Sequence, residues 1–197
     1  MNFLAHTYLS PENNIIMLGN LSGDFVKGRI INGIHKDIIS GVKLHREIDT
    51  FTDNHEKFKN AKRIISPYFN HYSGVLIDMF FDYFLAKKWN EQNPLQLKAH
   101  IEGVYKSGMA NYLILPEKFK PVLPNMIKYD WLSMYSTHNG LKDILRQMTN
   151  RINNKVLLHK GVDLLIEHEV QLEDLFNEFW ISITSVFDTF PEKKIRV

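Results

Sequence analysis

The sequence predicts an all-α protein. Apolar residues recur at three- and four-residue intervals almost throughout, and no stretch alternates long enough to make a strand. One segment, Val75 to Ala86, is apolar on every side apart from two aspartates and a tyrosine hydroxyl. A helix that is apolar all round is a buried one, so Gly74 to Trp89 is expected to run through the core. With 197 residues the chain can bury a sizeable core, and residues 1–197 are read as a single compact helical domain.

The other elements follow in order. Met1 to Leu9 opens the first helix, and Ser10-Pro11-Glu12-Asn13-Asn14 is a turn or the start of the next. Ile15 to Val26 carries apolar residues around Gly19, Gly23 and Asp24, and Gly28 to Gly33, with Arg29, is a loop. A helix from about Lys36 ends near Asp53; Asn54 to Phe69 forms another, stopped near Pro67. Asn93-Pro94 starts a helix to about Tyr112, since Pro is tolerated in a first turn. Pro116, Pro121 and Pro124 punctuate a connection to Met126–Tyr135. Asn139-Gly140 marks a turn before Leu141 to Ile152. From Gly161, one long amphipathic helix is expected, carrying Leu165, His168, Leu172, Phe176, Phe179, Ile183 and Phe190 and broken by Pro191.

Composition narrows the function classes. Lys and Arg total 24 against 22 Asp and Glu, a net charge of +2, which is not the strongly basic balance of a nucleic-acid-binding domain. There is no cysteine, so thiolate metal sites, disulfides and a Cys nucleophile are excluded, in keeping with a cytoplasmic protein. No run approaches the ~18 apolar residues of a membrane span, and Met1 to His6 does not read as a secretory signal. Phosphate-loop, dinucleotide and H-E-x-x-H motifs are absent. Lys57, Lys59, Lys62 and Arg63 form one basic group and Lys193, Lys194 and Arg196 another; each is either a solvated face or a docking patch for an acidic partner.

Two clusters carry the chemistry. Asp78 and Asp82, four residues apart, share one helix face. A buried carboxylate needs a cation, a metal or a proton, so the pair calls for a metal or for Arg or Lys from a neighbouring helix. His45, Asp49 and Asp53 repeat the same spacing beside an apolar stripe of Leu44, Ile48 and Phe51. Imidazole with carboxylates suits Zn, Mn or Fe, and an oxygen-rich mixture leans towards Mn or Mg. Read alone, this stripe also fits an ordinary solvated face.

With these clusters the N-terminal motifs gain meaning. Asn2-Phe3-Leu4-Ala5-His6 and Gly19-Asn20-Leu21-x-x-Asp24-Phe25 come first. Gly41-x-x-x-His45-Arg46-x-Ile48-Asp49-x-x-Thr52-Asp53 follows, then Asp78-x-x-x-Asp82-x-Phe84-Leu85, and later Trp131-Leu132-x-x-Tyr135. This ordered set resembles the acyl carrier protein phosphodiesterase family, over most of the chain. The resemblance implies an all-helical fold distantly related to the HD phosphohydrolases and a divalent metal, Mn²⁺ first, with Mg²⁺ or Fe²⁺ as alternatives. It implies hydrolysis of the phosphodiester joining 4′-phosphopantetheine to a serine of acyl carrier protein.

On that footing His6, Asp24, His45 and Asp78 are assigned to the metal. Asp82 is a further ligand or the base that orients water, and Asp49 a ligand or a carboxylate that fixes an imidazole. Arg46 is the candidate phosphate clamp, with a salt bridge to Asp49 or Asp53 as the alternative. Lys27 and Arg29 are placed to steer phosphate or carrier protein, or face solvent. Among the other histidines only His55, close behind Asp53, draws notice. Two rival functions remain open: an HD-type phosphohydrolase acting on a nucleotide or other phosphoester, and a non-catalytic helical module that binds carrier protein.

Overall fold

In the computed structural model, which describes residues 1–28, 33–151 and 155–187, the expected central helix is buried and packs against helices drawn from the whole length of the chain. Eleven α-helices are present among the described residues, and no strand. They are α1 (Phe3–Tyr8), α2 (Asn14–Leu21), α3 (Lys36–Asn54), α4 (Glu56–Phe69), α5 (Ser73–Gln92) and α6 (Pro94–Ala110). After them come α7 (Leu123–Lys128), α8 (Trp131–Met134), α9 (His138–Arg151), α10 (Gly161–Glu167) and α11 (Glu169–Phe187).

Helix α5 touches α1, α4, α6, α9 and α11, and its Leu76, Ile77, Phe80, Phe81, Phe84 and Leu85 have no exposed surface. Aromatic rings fill the space towards α11: Phe81 lies between Phe58, Phe176 and Phe179, with ring centroids 5.1–5.7 Å away. At the rim, Glu169 accepts hydrogen bonds from the Tyr83 hydroxyl at 2.8 Å and Lys87 at 3.0 Å. No described helix is long and apolar enough to cross a membrane.

Helices α2 and α3 cross at glycines. A Cβ on Gly19 would overlap the Ile38 carbonyl, and one on Gly41 the Ile16 carbonyl and the Asn20 backbone. With hydrogen there instead, the two backbones meet directly, which sets Asn20 of α2 against His45, one turn further along α3.

Side-chain caps fix several helix starts. The Asn13 carboxamide accepts from Ile15 and Ile16 N–H, and Asn93 from Gln96 N–H. His35 and His55 cap α3 and α4, each taking a backbone N–H two residues on through Nδ1, at 3.2 Å. His55 thus serves α4.

Helix α4 ends at Phe69, as expected, with Pro67 near its end. Other boundaries differ from the sequence reading. The Asn139-Gly140 turn lies inside α9, because the Thr137 hydroxyl accepts the Gly140 N–H and starts the helix earlier. The long C-terminal helix is two helices separated at His168, and Glu169 beyond the break bonds to α5. Arg29, Ile152, Phe190, Pro191, Lys193, Lys194 and Arg196 lie outside the described residues.

Gly41→Ala tests the crossing. The overlapped atoms are backbone and cannot swing aside, so the variant should lose about 1–3 kcal/mol, as overpacked interiors do. Thermal unfolding should shift down by roughly 3–10 °C for a chain of this size. An unchanged midpoint would mean that the crossing has slack.

Candidate metal centre

Three elements converge beside α5. Helix α1 carries His6, α3 carries His45 and Asp49 one turn apart, and the 3₁₀ turn Gly23–Phe25 carries Asp24. The two imidazoles stack with centroids 4.0 Å apart and planes 20° from parallel. Asp49 straddles them, Oδ1 3.2 Å from His6 Nε2 and Oδ2 3.1 Å from His45 Nε2. Asp24 Oδ1 is 3.4 Å from His45 Nε2. Gly23 makes room for this: a Cβ there would overlap the His45 ring.

The far nitrogens of both rings are occupied by one residue. His6 Nδ1 lies 2.8 Å from the Asn20 side-chain oxygen, and His45 Nδ1 2.8 Å from the Asn20 backbone carbonyl. Carbonyl oxygens only accept, so both Nδ1 atoms carry the proton and both Nε2 atoms face the centre. His6 Nε2 is buried, and the Asp49 oxygen 3.2 Å away is not aligned for a good hydrogen bond to it. An imidazole lone pair close to a carboxylate is unfavourable unless a cation or a proton lies between them. His6, His45 and Asp49 are also the group among the described residues whose ligand atoms all lie within 4.8 Å of one another. Two imidazoles with a carboxylate are a donor set that could hold a divalent metal ion, so the residues fit one.

The electrostatics agree. Burial lowers His6 to about 4, with Asp49 opposing, so its ring is neutral at pH 7. Burial also works to lower His45, but Asp24 and Asp49 outweigh it and raise the ring to about 9. Burial works to raise Asp49, yet His45 and His6 hold its carboxyl well below the usual carboxylate range. Without metal, a proton on His45 therefore offsets the carboxylates.

Of the four residues assigned to the metal from sequence, His6, His45 and Asp24 come together, and Asp49 joins them. Asp78 stands one step away: its Oδ1 accepts from the Met1 ammonium at 2.7 Å, and that ammonium is 3.9 Å from Asp49. Asp82, wholly buried, faces α1 and accepts backbone N–H groups of Asn2, Leu4 and Ala5 at 3.1, 2.7 and 3.4 Å. Its oxygens are thus engaged by main chain. Burial, outweighing these bonds, raises its carboxyl to about 7. Arg46 turns outward, donating to the carbonyls of Val26 and Gly28, both at 2.9 Å. Lys27 is exposed and borders a separate groove with Ile34, Leu115 and Lys118.

A cleft of about 360 Å³ adjoins the centre. Asp24, Asp49, Asp53 and Asp78 line it, with walls of Phe3, Val75, Met79, Trp131, Ile144 and Met148. Tyr135 closes one side and donates its hydroxyl proton to Asn2 at 2.9 Å. The sequence reading did not find Asn20 as the residue joining the two histidines, although Asn20 stands in the Gly19-Asn20-Leu21 motif. Nor did it find the apolar walls, of which Phe3, Trp131 and Tyr135 lay in motifs and Val75, Ile144 and Met148 did not.

The sequence profile of the acyl carrier protein phosphodiesterases matches residues 1–183. The chain belongs to the acyl carrier protein phosphodiesterase family. Curated relatives bearing that name include one from Pectobacterium atrosepticum, 30% identical over 181 residues that cover 91% of this chain and 94% of the relative. Another, from Yersinia pestis, is 29% identical over 91% of this chain and 94% of its own. A third, from Yersinia enterocolitica, is 28% identical over 94% and 96%. No solved structure gives a significant match.

The two histidines predict how the metal-free protein responds to pH. His45 is raised from 6.5 to about 9, so its contribution is complete below pH 6.5 and is lost as pH rises to about 9. His6 is lowered from 6.5 to about 4, so stability is lost as pH falls through that window. Asp82, raised to about 7, works in the opposite direction over that acid window, so the alkaline limb is the one that reports a single ring. Thermal stability in chelator should fall between pH 6.5 and about 9, and His45→Asn should flatten that fall; an alkaline limb that survives the substitution would contradict the assignment.

Proposed function

We propose that this chain is a metal-dependent hydrolase that removes 4′-phosphopantetheine from holo-acyl carrier protein, leaving the apo protein. The observation that carries the reading is the convergence of His6 Nε2, His45 Nε2 and the Asp49 carboxylate, both rings being anchored through Nδ1. The substrate is taken from the family, whose named relatives are acyl carrier protein phosphodiesterases.

In this reading His6, His45 and Asp49 hold the ion and Asp24 completes the set. Mn²⁺ suits two imidazoles with carboxylates, with Fe²⁺ or Mg²⁺ as the alternatives. A divalent cation at that position supplies Lewis-acid polarisation of a phosphoryl oxygen and acidifies water at neutral pH. Asp78, on the cleft lining, is the carboxylate placed to take the proton from the attacking water. Burial raises its carboxyl, which makes it a stronger base than an exposed aspartate. Asp82 acts through α1, by holding the helix that carries His6. Arg46 acts by fastening the Val26–Gly28 segment that follows Asp24. The pantetheine arm, a largely neutral chain with apolar stretches, fits the cleft walled by Phe3, Trp131 and Met148.

Docking of an acidic carrier protein falls to α4. Lys62 lies 3.7 Å from where a Gly74 Cβ would stand, and Val75 beyond it is a cleft residue. Lys59 and Arg63 lie on the same helix, whereas Lys57 is already paired with Glu178 at 2.6 Å. Such docking weakens as salt rises, because exposed charges are screened over about 8 Å at physiological ionic strength.

Incubating holo-acyl carrier protein with the chain and Mn²⁺ should remove the mass of phosphopantetheine, and chelation should abolish the loss. Asp49→Asn should lower the rate by more than about 100-fold, beyond the 10–100-fold typical of groups that only orient a ligand. Charge reversal at Lys62 and Arg63 should raise KM more than it lowers kcat. Hydrolysis of nucleotides with no mass loss from several carrier proteins would refute the substrate and leave the metal hydrolase. Bound carrier protein without turnover would favour the non-catalytic module.

A further inference from the structure

Asn20 is wholly buried, and its orientation is fixed by donor and acceptor counting. The Ser10 hydroxyl donates to the His6 carbonyl at 2.7 Å, so towards Asn20 it can only accept. Asn20 Nδ2 donates to that hydroxyl at 2.9 Å and to the His6 carbonyl at 2.7 Å. Turning the amide over would set its oxygen against the His6 carbonyl. The carboxamide oxygen must therefore face His6 Nδ1, and that nitrogen must carry the proton. Meanwhile the Asn20 backbone carbonyl lies in the last turn of α2, where the helix does not use up its acceptors, and takes His45 Nδ1.

We propose that Asn20 is a positioning residue that sets the tautomer of both metal-binding histidines at once, His6 through its side chain and His45 through its main chain. This rests on the metal reading above. His6 is neutral, and His45 becomes so when an ion displaces its Nε2 proton; the one proton each ring then keeps is placed away from the centre, so each Nε2 offers its lone pair to the ion. The Asn20 side chain also ties α1 to α2, so a purely structural role is the competing account. The division of labour separates the two. A side-chain substitution should disturb His6 and leave His45 in place, since the backbone carbonyl stays.

Nitrogen-15 NMR on metal-free protein at pH 7 reads the His6 tautomer, and calorimetry with Mn²⁺ reads affinity. Native His6 should be protonated on Nδ1. Asn20→Leu removes the acceptor, so His6 should move its proton to Nε2, next to Asp49, and Mn²⁺ affinity should fall about 10–100-fold. Asn20→Asp loses the amide donors to Ser10 and to the His6 carbonyl, one of which a proton on the outer carboxyl oxygen replaces, but keeps an acceptor for Nδ1. It should retain the native tautomer and bind Mn²⁺ within a few-fold of the native chain, even where both variants lose similar thermal stability. A native His6 protonated on Nε2 overturns the proposal. So does an Asn20→Leu protein that keeps both tautomer and affinity, or equal loss of affinity in the two variants. If Asn20→Leu fails to fold, a native Nε2 tautomer or a more than tenfold loss in Asn20→Asp still overturns it. Native protein with the Nδ1 tautomer that binds no Mn²⁺ would sink the metal reading alone.

Discussion

The centre depends on a carboxylate that never touches it. Helix α1 has six residues, too few to hold its shape unaided. Its first N–H groups would be orphaned in an apolar interior. Asp82, wholly buried on α5, collects three backbone N–H groups from residues 2–5 and so gives α1 both a cap and an address. His6 sits one turn beyond, and its distance from His45 is set by where that cap lies. Asp82 is costly in isolation, since burial pushes its carboxyl up to about 7. What it returns is a fixed position for a ligand borne on the first turns of the chain.

The second constraint is steric. His45 reaches the Asn20 carbonyl because α2 and α3 cross on Gly19 and Gly41, and it stacks on His6 because Gly23 leaves its ring space. Two independent placements, one electrostatic through α5 and one steric through α2, thus bring two imidazoles within 4.0 Å of each other. Asn20 links the two, because its side chain addresses α1 and its main chain addresses α3.

The helical class, the burial of Asp82 and the pairing of His45 with Asp49 were all legible in the sequence, because each is a matter of period along one helix. Partners were not. Period places Asp78 and Asp82 on one face of a buried helix but is silent on what they meet, and they meet an ammonium and three backbone amides. Main-chain donors carry no signature in side-chain identity. Arg46 was misleading for the same reason: a guanidinium in a motif suggests an anion, whereas here it serves two carbonyls of the loop beside it. His35 and His55 cap helices, a role that sequence preference assigns to Asn, Asp, Ser or Thr. The role of Asn20 needed the fold, since one of its two contacts is made by a backbone oxygen.

The charge of the cleft bears on how metal and substrate relate under the proposed reading. Asp24, Asp49, Asp53 and Asp78 line it, and among the described residues no lysine or arginine does. The positive charges nearby are the Met1 ammonium and the proton on His45. A phosphodiester anion entering that field meets carboxylates at short range, where protein surroundings screen poorly. Binding a divalent ion displaces the His45 proton and still leaves the cleft more positive by one charge, at the point where the phosphoryl group must lie. Metal and phosphodiester should therefore bind with positive coupling, and by linkage the phosphodiester should tighten the metal by the same factor. The basic residues of α4 stand outside the cleft, so attraction of the carrier protein and admission of its phosphate are handled by different charges. Salt should weaken the first far more than the second, since exposed side chains are screened and a buried ion is not.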